Sequence, residues 1–227
     1  MNNITAKLVG YTQPSEEFKE HFSDITDLVA YCARVSNPSN QHNTGTVDKL
    51  ISYLLKHKHF SPFEMATVTM EITTTRDIAR QLLRHRSFAF QEYSQRYADP
   101  TNDLNFVLRE ARYQDTKNRQ NSVEFDLSNE QDRLLSEEWD RRQQTVIDLV
   151  KEHYKWASGV GIAKEQCRVI LPEGLTESRL YMQGTIRSYI HYLEARKDVS
   201  TGTQKEHRVL AEKVAEAIAT IFKLDKP

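Results

Sequence analysis

Residues 65–72 alternate with period two. Met65, Thr67, Thr69 and Glu71 fall on one side, and Ala66, Val68, Met70 and Ile72 on the other. Alternation of this kind, rich in β-branched residues, predicts a strand. The chain on either side follows helical spacing instead. Residues 47–58 carry Leu50, Ile51, Leu54 and Leu55 on one face, and residues 76–86 carry Ile78, Leu82 and Leu83. A clear strand set between helices, with no regular β-α-β alternation elsewhere, predicts an α+β fold. The expectation is one helix-rich domain over 1–227 with a small mixed or antiparallel sheet, not a Rossmann fold.

Further strands are expected at 7–11, 105–113 and 179–183. Further helices are expected at 24–35, from 128 to about 157, at 164–170 and at 185–196. A last helix puts Leu210, Val214, Ile218 and Ile221 on one stripe. Ser128–Gln131 and Thr203–Glu206 have capping-box form, and Thr74 or Thr75 is a candidate cap for the helix at 76. Residues 101–127 read as an exposed excursion, polar and irregular above all over 115–126. Trp139 and Trp156 read as packing residues, and Glu137, Glu138, Arg141 and Arg142 as a solvated helical surface.

Only seven glycines and six prolines occur in 227 residues. Turn formers are too few for a sandwich of many short strands. With 31 basic and 32 acidic side chains, the chain lacks the cationic surplus of a general polyanion binder. No nucleic-acid partner is expected. A mean hydropathy of −0.67 and the lack of a long apolar run predict no membrane span. Met1–Thr5 has no signal pattern, and two cysteines form no disulfide framework. A reducing cytoplasm is the expected compartment.

The chemistry concentrates between 76 and 97. Arg76, Arg80 and Arg84 recur at spacing four, followed by His85, Arg86 and Arg96. Like charges at that spacing repel, so acidic partners or a bound anion would explain them, the alternative being a solvated basic face. The run continues into Gln91-Glu92-Tyr93-Ser94-Gln95-Arg96-Tyr97, a polar and aromatic stretch. Guanidinium groups with hydroxyls and amides suit a phosphate-bearing ligand, and near-neutral overall charge favours a nucleotide over a DNA backbone.

Arg84-His85-Arg86, seven residues, then Ser94-Gln95-Arg96 resembles the RHR-x7-S-(R/Q)-R signature of the flavin-dependent thymidylate synthases. Other segments resemble that family in the same order. They are Ala33-Arg34-Val35-Ser36, His59-Phe60-Ser61-Pro62-Phe63-Glu64, Ala79-Arg80-Gln81, Cys167-Arg168-Val169-Ile170-Leu171-Pro172 and the helix from Gly184 to Arg196. Cys167 stands where the family pattern has Ala, and Thr185 and Ile186 fall where members often differ. His191 sits where members carry His or Asn.

The resemblance implies methylation of deoxyuridine 5′-monophosphate (dUMP) to thymidylate. It implies 5,10-methylenetetrahydrofolate as carbon donor, FAD and NADPH as reductant, and release of tetrahydrofolate. It further implies a homotetramer with active sites shared between subunits, and an FAD fold that is not Gly-rich. The sequence agrees on that last point, for no G-x-G-x-x-G follows a strand. Carried over by residue, Gln81, Arg84, Glu92, Tyr93, Ser94, Gln95, Arg96, Arg168 and Arg196 contact dUMP. Arg196 also matches the catalytic arginine that promotes ionisation at uracil N3. Ser61, Arg84, His85, Arg86, Glu92, Arg187 and His191 match flavin contacts.

Neither Cys32 nor Cys167 has an activating neighbour in sequence, so no cysteine nucleophile is expected. His57 and His59 lack a third ligand at useful spacing, and no metal is expected. An oligonucleotide-binding module using the arginine run and a non-catalytic scaffold are the alternative classes. A flavin absorption band separates the enzyme from the first, and the filled catalytic-type positions disfavour the second.

Overall fold

The computed structural model describes residues 3–198 and 202–223. Its centre is a four-stranded antiparallel sheet of order β1-β2-β6-β3, comprising β1 (Thr5–Tyr11), β2 (Thr67–Thr75), β3 (Ala89–Glu92) and β6 (Glu177–Thr185). Antiparallel neighbours need no crossover helix, so the helices are free to gather on one face. The alternation of β2 decides which face. Val68, Met70 and Ile72 are buried, while Thr67, Thr69 and Glu71 are not.

Against that face pack α1 (Ile25–Ala33), α2 (Val47–Lys56), α7 (Ile186–Lys197) and α8 (Lys205–Ala219), burying Val29, Ile51, Tyr189, Leu210, Val214 and Ile218 in one core. Ile221 lies past the end of α8 and is partly buried against the same core. The fold is thus helix-rich around a small antiparallel sheet, as the pattern predicts. The remaining elements are α3 (Arg76–Leu82), α4 (Pro100–Asp103), the hairpin of β4 (Arg112–Gln114) and β5 (Ser122–Glu124), the 30-residue α5 (Glu130–Gly159) and α6 (Lys164–Cys167).

Several local expectations are corrected. The stretch 105–113 is not a strand. It has one bridge, Phe106 to Thr176, and enters β4 only at Arg112. The buried amide of Gln143 on α5 takes the place of a neighbouring strand. Its Oε1 accepts from Arg109 N at 2.8 Å and its Nε2 donates to Arg109 O at 2.9 Å. Both backbone groups are satisfied without a ladder.

Conversely, Ala89–Glu92 lacks apolar alternation yet forms edge strand β3 against β6. β6 itself runs nine residues, four more than its sequence pattern suggested. Asn129, not Ser128, caps α5, accepting from Gln131 N and Asp132 N. Thr75 and Gln204 occupy the caps of α3 and α8 without side-chain capping bonds. Thr75 instead donates to Asp77, and Gln204 bonds to Gln81. The two tryptophans are not core residues, for Trp139 and Trp156 are 44% and 63% exposed on α5.

Within 101–127, Arg109 and Arg112 are anchored inward, whereas 116–121 is exposed. Residues 199–201, in the loop expected after α7, lie outside the described residues.

Candidate active site

Helix α3 stops at Leu82, four residues earlier than its sequence pattern. The cause lies in Phe88, whose ring is buried against Tyr189 at 4.9 Å and covers Gly184 of β6. A Cβ on Gly184 would meet that ring at 2.5 Å. Drawing Phe88 inward pulls Arg84–Ser87 into a turn laid along α7. Three α7 side chains at helical spacing four receive it. Ser188 Oγ donates to Ser87 O at 3.1 Å, Tyr192 meets the His85 ring edge-on at 5.1 Å, and Arg196 Nε donates to His85 Nε2 at 3.0 Å.

His85 accepts on Nε2, so its proton is on Nδ1 and the ring is neutral. Burial, and then the Arg196 charge, push its pKa down, which keeps it so. The Nε2 lone pair is engaged by Arg196, whose guanidinium it orients. Behind it, Gln81 Nε2 donates to Gln204 Oε1 at 2.8 Å, and Gln81 Oε1 lies 3.2 Å from His207 Nδ1. Burial first, then Arg196 and His85, hold the His207 pKa at about 3. Gln204 and His207 were not singled out in the sequence. The available signal was a histidine on the apolar stripe of Leu210, Val214 and Ile218.

Arg76 and Arg80 find the acidic partners that their spacing called for. Arg76 faces Glu92 at 3.5 Å and Arg80 pairs with Glu173 at 2.7 Å. Arg84 and Arg86 are exposed, and among the described residues neither guanidinium has a partner. Two unpaired cations flanking a rigid turn suit a ligand with anionic phosphates.

On the outer side of α7, Arg187 pairs with Glu64 at 2.7 Å, beside Ser61 in the same short turn. His191 packs on Phe60 at 4.5 Å and bonds Glu194 at 3.1 Å.

The second group follows β3. Glu92 accepts from Ser178 Oγ at 2.8 Å. Tyr93 N bonds Arg179 O at 2.8 Å, and its hydroxyl donates to Asp103 at 2.9 Å. Burial, then that bond, raise the Tyr93 pKa, so the phenol stays protonated. Ser94 accepts from Arg96 N. Gln95 is 4% exposed, and its Nε2 has no partner among the described residues. Arg96 pairs with the Glu165 carboxylate at 3.3 Å, while Arg168 Nε donates to Glu165 O at 3.3 Å. Arg96 and Arg168 thus converge on one residue.

No hydrogen bond or ion pair joins Tyr93–Arg96 to Gln81, Arg84 or Arg196 among the described residues. β3 separates the turn from the segment, and four strand residues span about 14 Å.

An antiparallel α+β frame that presents arginine clusters on a turn belongs to a different class from the α/β folds that hold dinucleotides on a Gly-rich loop. The chain belongs to the thymidylate synthase complementing protein family, whose model matches residues 18–222. It is 46% identical over 208 residues to a probable flavin-dependent thymidylate synthase of Paramecium bursaria Chlorella virus 1, covering 92% of this chain and 90% of that one. It is 47% identical over 186 residues to the flavin-dependent thymidylate synthase of Synechocystis, covering 81% and 80%. Among solved structures, it is similar to the UMP/dUMP methylase PolB from Streptomyces cacaoi bound with 5-Br UMP. That match has a TM-score of 0.77 and 26% identity, covering 96% of this chain and 90% of that one.

Proposed function

We propose that this chain methylates dUMP to thymidylate, with 5,10-methylenetetrahydrofolate as carbon donor and with release of tetrahydrofolate. The observation that carries the reading is the Arg196–His85 bond, which ties the C-terminal turn of α7 to the family signature. Arg196 is held against a neutral ring and presents its remaining N–H groups in a fixed fork. Beside the uracil edge, that fork stabilises negative charge as N3 loses its proton, without reorganising during reaction. Gln81, Arg84, Glu92, Tyr93, Ser94, Gln95, Arg96 and Arg168 bind the rest of dUMP.

FAD, when bound, supplies the reducing hydride, which NADPH restores. Arg84, Arg86 and Arg187 suit its phosphates, and Ser61, His85, Glu92 and His191 complete its site. The unpaired guanidiniums of Arg84 and Arg86 fit such an anionic cofactor. A purified protein with a flavin absorption band that binds dUMP supports the reading. A colourless protein that binds oligonucleotides contradicts it.

We further infer a homotetramer with shared sites. The separation of Tyr93–Arg96 from Gln81, Arg84 and Arg196 supports this, since a second copy brings the two groups to one nucleotide. An apolar stripe along α5 and its C-cap supports self-association as well. Leu135, Trp139, Val146, Leu149, Trp156 and Val160 recur at spacings of three, four and seven, all exposed. Patches of that extent mark interfaces. Leu149→Arg with Trp156→Arg is expected to shift the light-scattering mass from four chains to fewer, with loss of activity. A tetramer in the double variant excludes this stripe as the contact.

No cysteine takes part in the proposed reaction. Cys167 is buried, with Sγ 3.3 Å from Ile162 O, and burial raises the Cys32 pKa. The raised Cys32 pKa opposes thiolate formation there. Cys32→Ala with Cys167→Ala is expected to form thymidylate within about threefold of the parent, since inert thiols contribute packing only. Complete loss in a folded, flavin-loaded double variant overturns this.

The cytoplasm is the proposed location. Among the described residues, no helix is long and apolar enough to cross a membrane.

A further inference from the structure

The first turn of α8 reaches under α3 and grips a single side chain, Gln81. Its amide is bonded at both ends, Nε2 to Gln204 Oε1 at 2.8 Å and Oε1 to His207 Nδ1 at 3.2 Å. His207 has no exposed surface and sits on a stripe otherwise made of Leu210, Val214 and Ile218. An imidazole in such a place is costly unless it is hydrogen-bonded. The ring has one side-chain partner, Gln81, while Nε2 has none among the described residues. Its faces meet Tyr192 at 5.8 Å and His85 at 6.2 Å.

A pKa near 3 makes the ring neutral, with one proton to place. Gln81 Oε1 accepts and cannot donate, so the proton is on Nδ1. The amide then has one orientation, with one N–H and one lone pair still free.

We propose that His207 is a positioning residue for nucleotide recognition. With Gln204, it fixes the Gln81 amide so that its free N–H and free lone pair meet a pyrimidine nucleotide in a single orientation. This rests on the reading that Gln81 contacts dUMP. Without the His207 donor, Gln81 Oε1 faces an apolar pocket unpaired, and the amide rotates between two orientations, of which one matches the nucleotide.

Four variants of the flavin-loaded protein test it. His207→Leu continues the apolar stripe and removes the donor. His207→Asn keeps an amide N–H near the Nδ1 position, whereas His207→Gln moves it to the Nε2 position. Gln81→Ala removes the side chain that is positioned. The dUMP dissociation constant is measured by equilibrium dialysis, with kcat, KM, flavin content and Tm beside it.

His207→Leu and His207→Gln are expected to weaken dUMP binding about twofold, since about half of the molecules then hold the amide in the matching orientation. Their kcat at saturating dUMP, flavin content and Tm are expected to stay near the parent's, and His207→Asn is expected to bind dUMP like the parent. In a Gln81→Ala background, His207→Leu is expected to cause no further loss.

The proposal is overturned if Gln81→Ala weakens binding while His207→Leu and His207→Gln do not. It is also overturned if the His207→Leu loss persists undiminished in the Gln81→Ala background, since that marks general damage to the core. If Gln81→Ala itself leaves dUMP binding unchanged, the assignment of Gln81 to the nucleotide falls, and the role of His207 falls with it. The first two outcomes leave that assignment standing.

Discussion

Arg196→Ala and Arg196→Lys are expected to lose about two to three powers of ten in thymidylate formation, the usual cost of removing one preorganised donor. Both are expected to bind FAD normally. The parent guanidinium has two tasks in this structure. Its Nε donates to His85 Nε2 at 3.0 Å, which fixes the plane, and its remaining N–H groups are left for a ligand. Lysine keeps the charge but has no planar fork, so it cannot hold His85 and address the uracil edge together. NADPH oxidation in the absence of dUMP needs no uracil and is expected to persist in both variants. The competing view makes Arg196 a surface charge near a helix C-terminus, favoured by the helix dipole. A thymidylate-forming rate in Arg196→Ala within a few-fold of the parent decides for that view.

Glu206→Ala is expected to cost about 3 kcal/mol of stability, the lower end for breaking a buried ion pair. Glu206 is 2% exposed at the start of α8 and pairs with two arginines from 105–114, Arg112 and, at 3.2 Å, Arg109. The lower end applies because Arg109 keeps Asp77 at 2.6 Å and Arg112 keeps Glu110 at 3.5 Å.

Burial pushes the Glu206 carboxyl up, but the hydrogen bond from Arg112 and the Arg109 charge outweigh it and bring the pKa to about 2. A depressed carboxylate pKa contributes stability above its unfolded value, about 4.3, and loses it as pH falls toward 2. Denaturant unfolding is therefore expected to show the parent losing stability faster than Glu206→Gln between those pH values. Parallel pH profiles for the two proteins contradict this.

The layout of the core was legible because burial follows periodicity. The alternation at 65–72 and the stripe from Leu210 to Ile218 specify faces, and β2 and α8 bury those faces. Residues 105–113 misled because their backbone partners come from a side chain, Gln143, 34 positions away. Edge strand β3 was hidden because its pairing with β6 depends on hydrogen bonds rather than on an apolar face. The end of α3 depended on Phe88 meeting the bare backbone of Gly184, a contact across 96 positions that no local pattern records.

The candidate site divides in the same way. Arg84, His85 and Arg86 were legible from residue type and spacing together with the family resemblance, and Arg196 from the resemblance alone. Their supports, Ser188, Tyr192, Gln204 and His207, were not, since each is defined by what it touches. The exposed tryptophans of α5 were read as packing residues, and residue type alone does not say which partner covers them.

The central claim is reductive methylation with the hydride taken from flavin rather than from the folate. The most direct measurement is anaerobic turnover of the purified chain with dUMP, 5,10-methylenetetrahydrofolate and NADPH, with and without added FAD, while the folate product is identified. The account predicts thymidylate and tetrahydrofolate in equal amounts, dependent on FAD. Dihydrofolate formed in step with thymidylate, or no thymidylate from a folded, flavin-loaded protein, would contradict it.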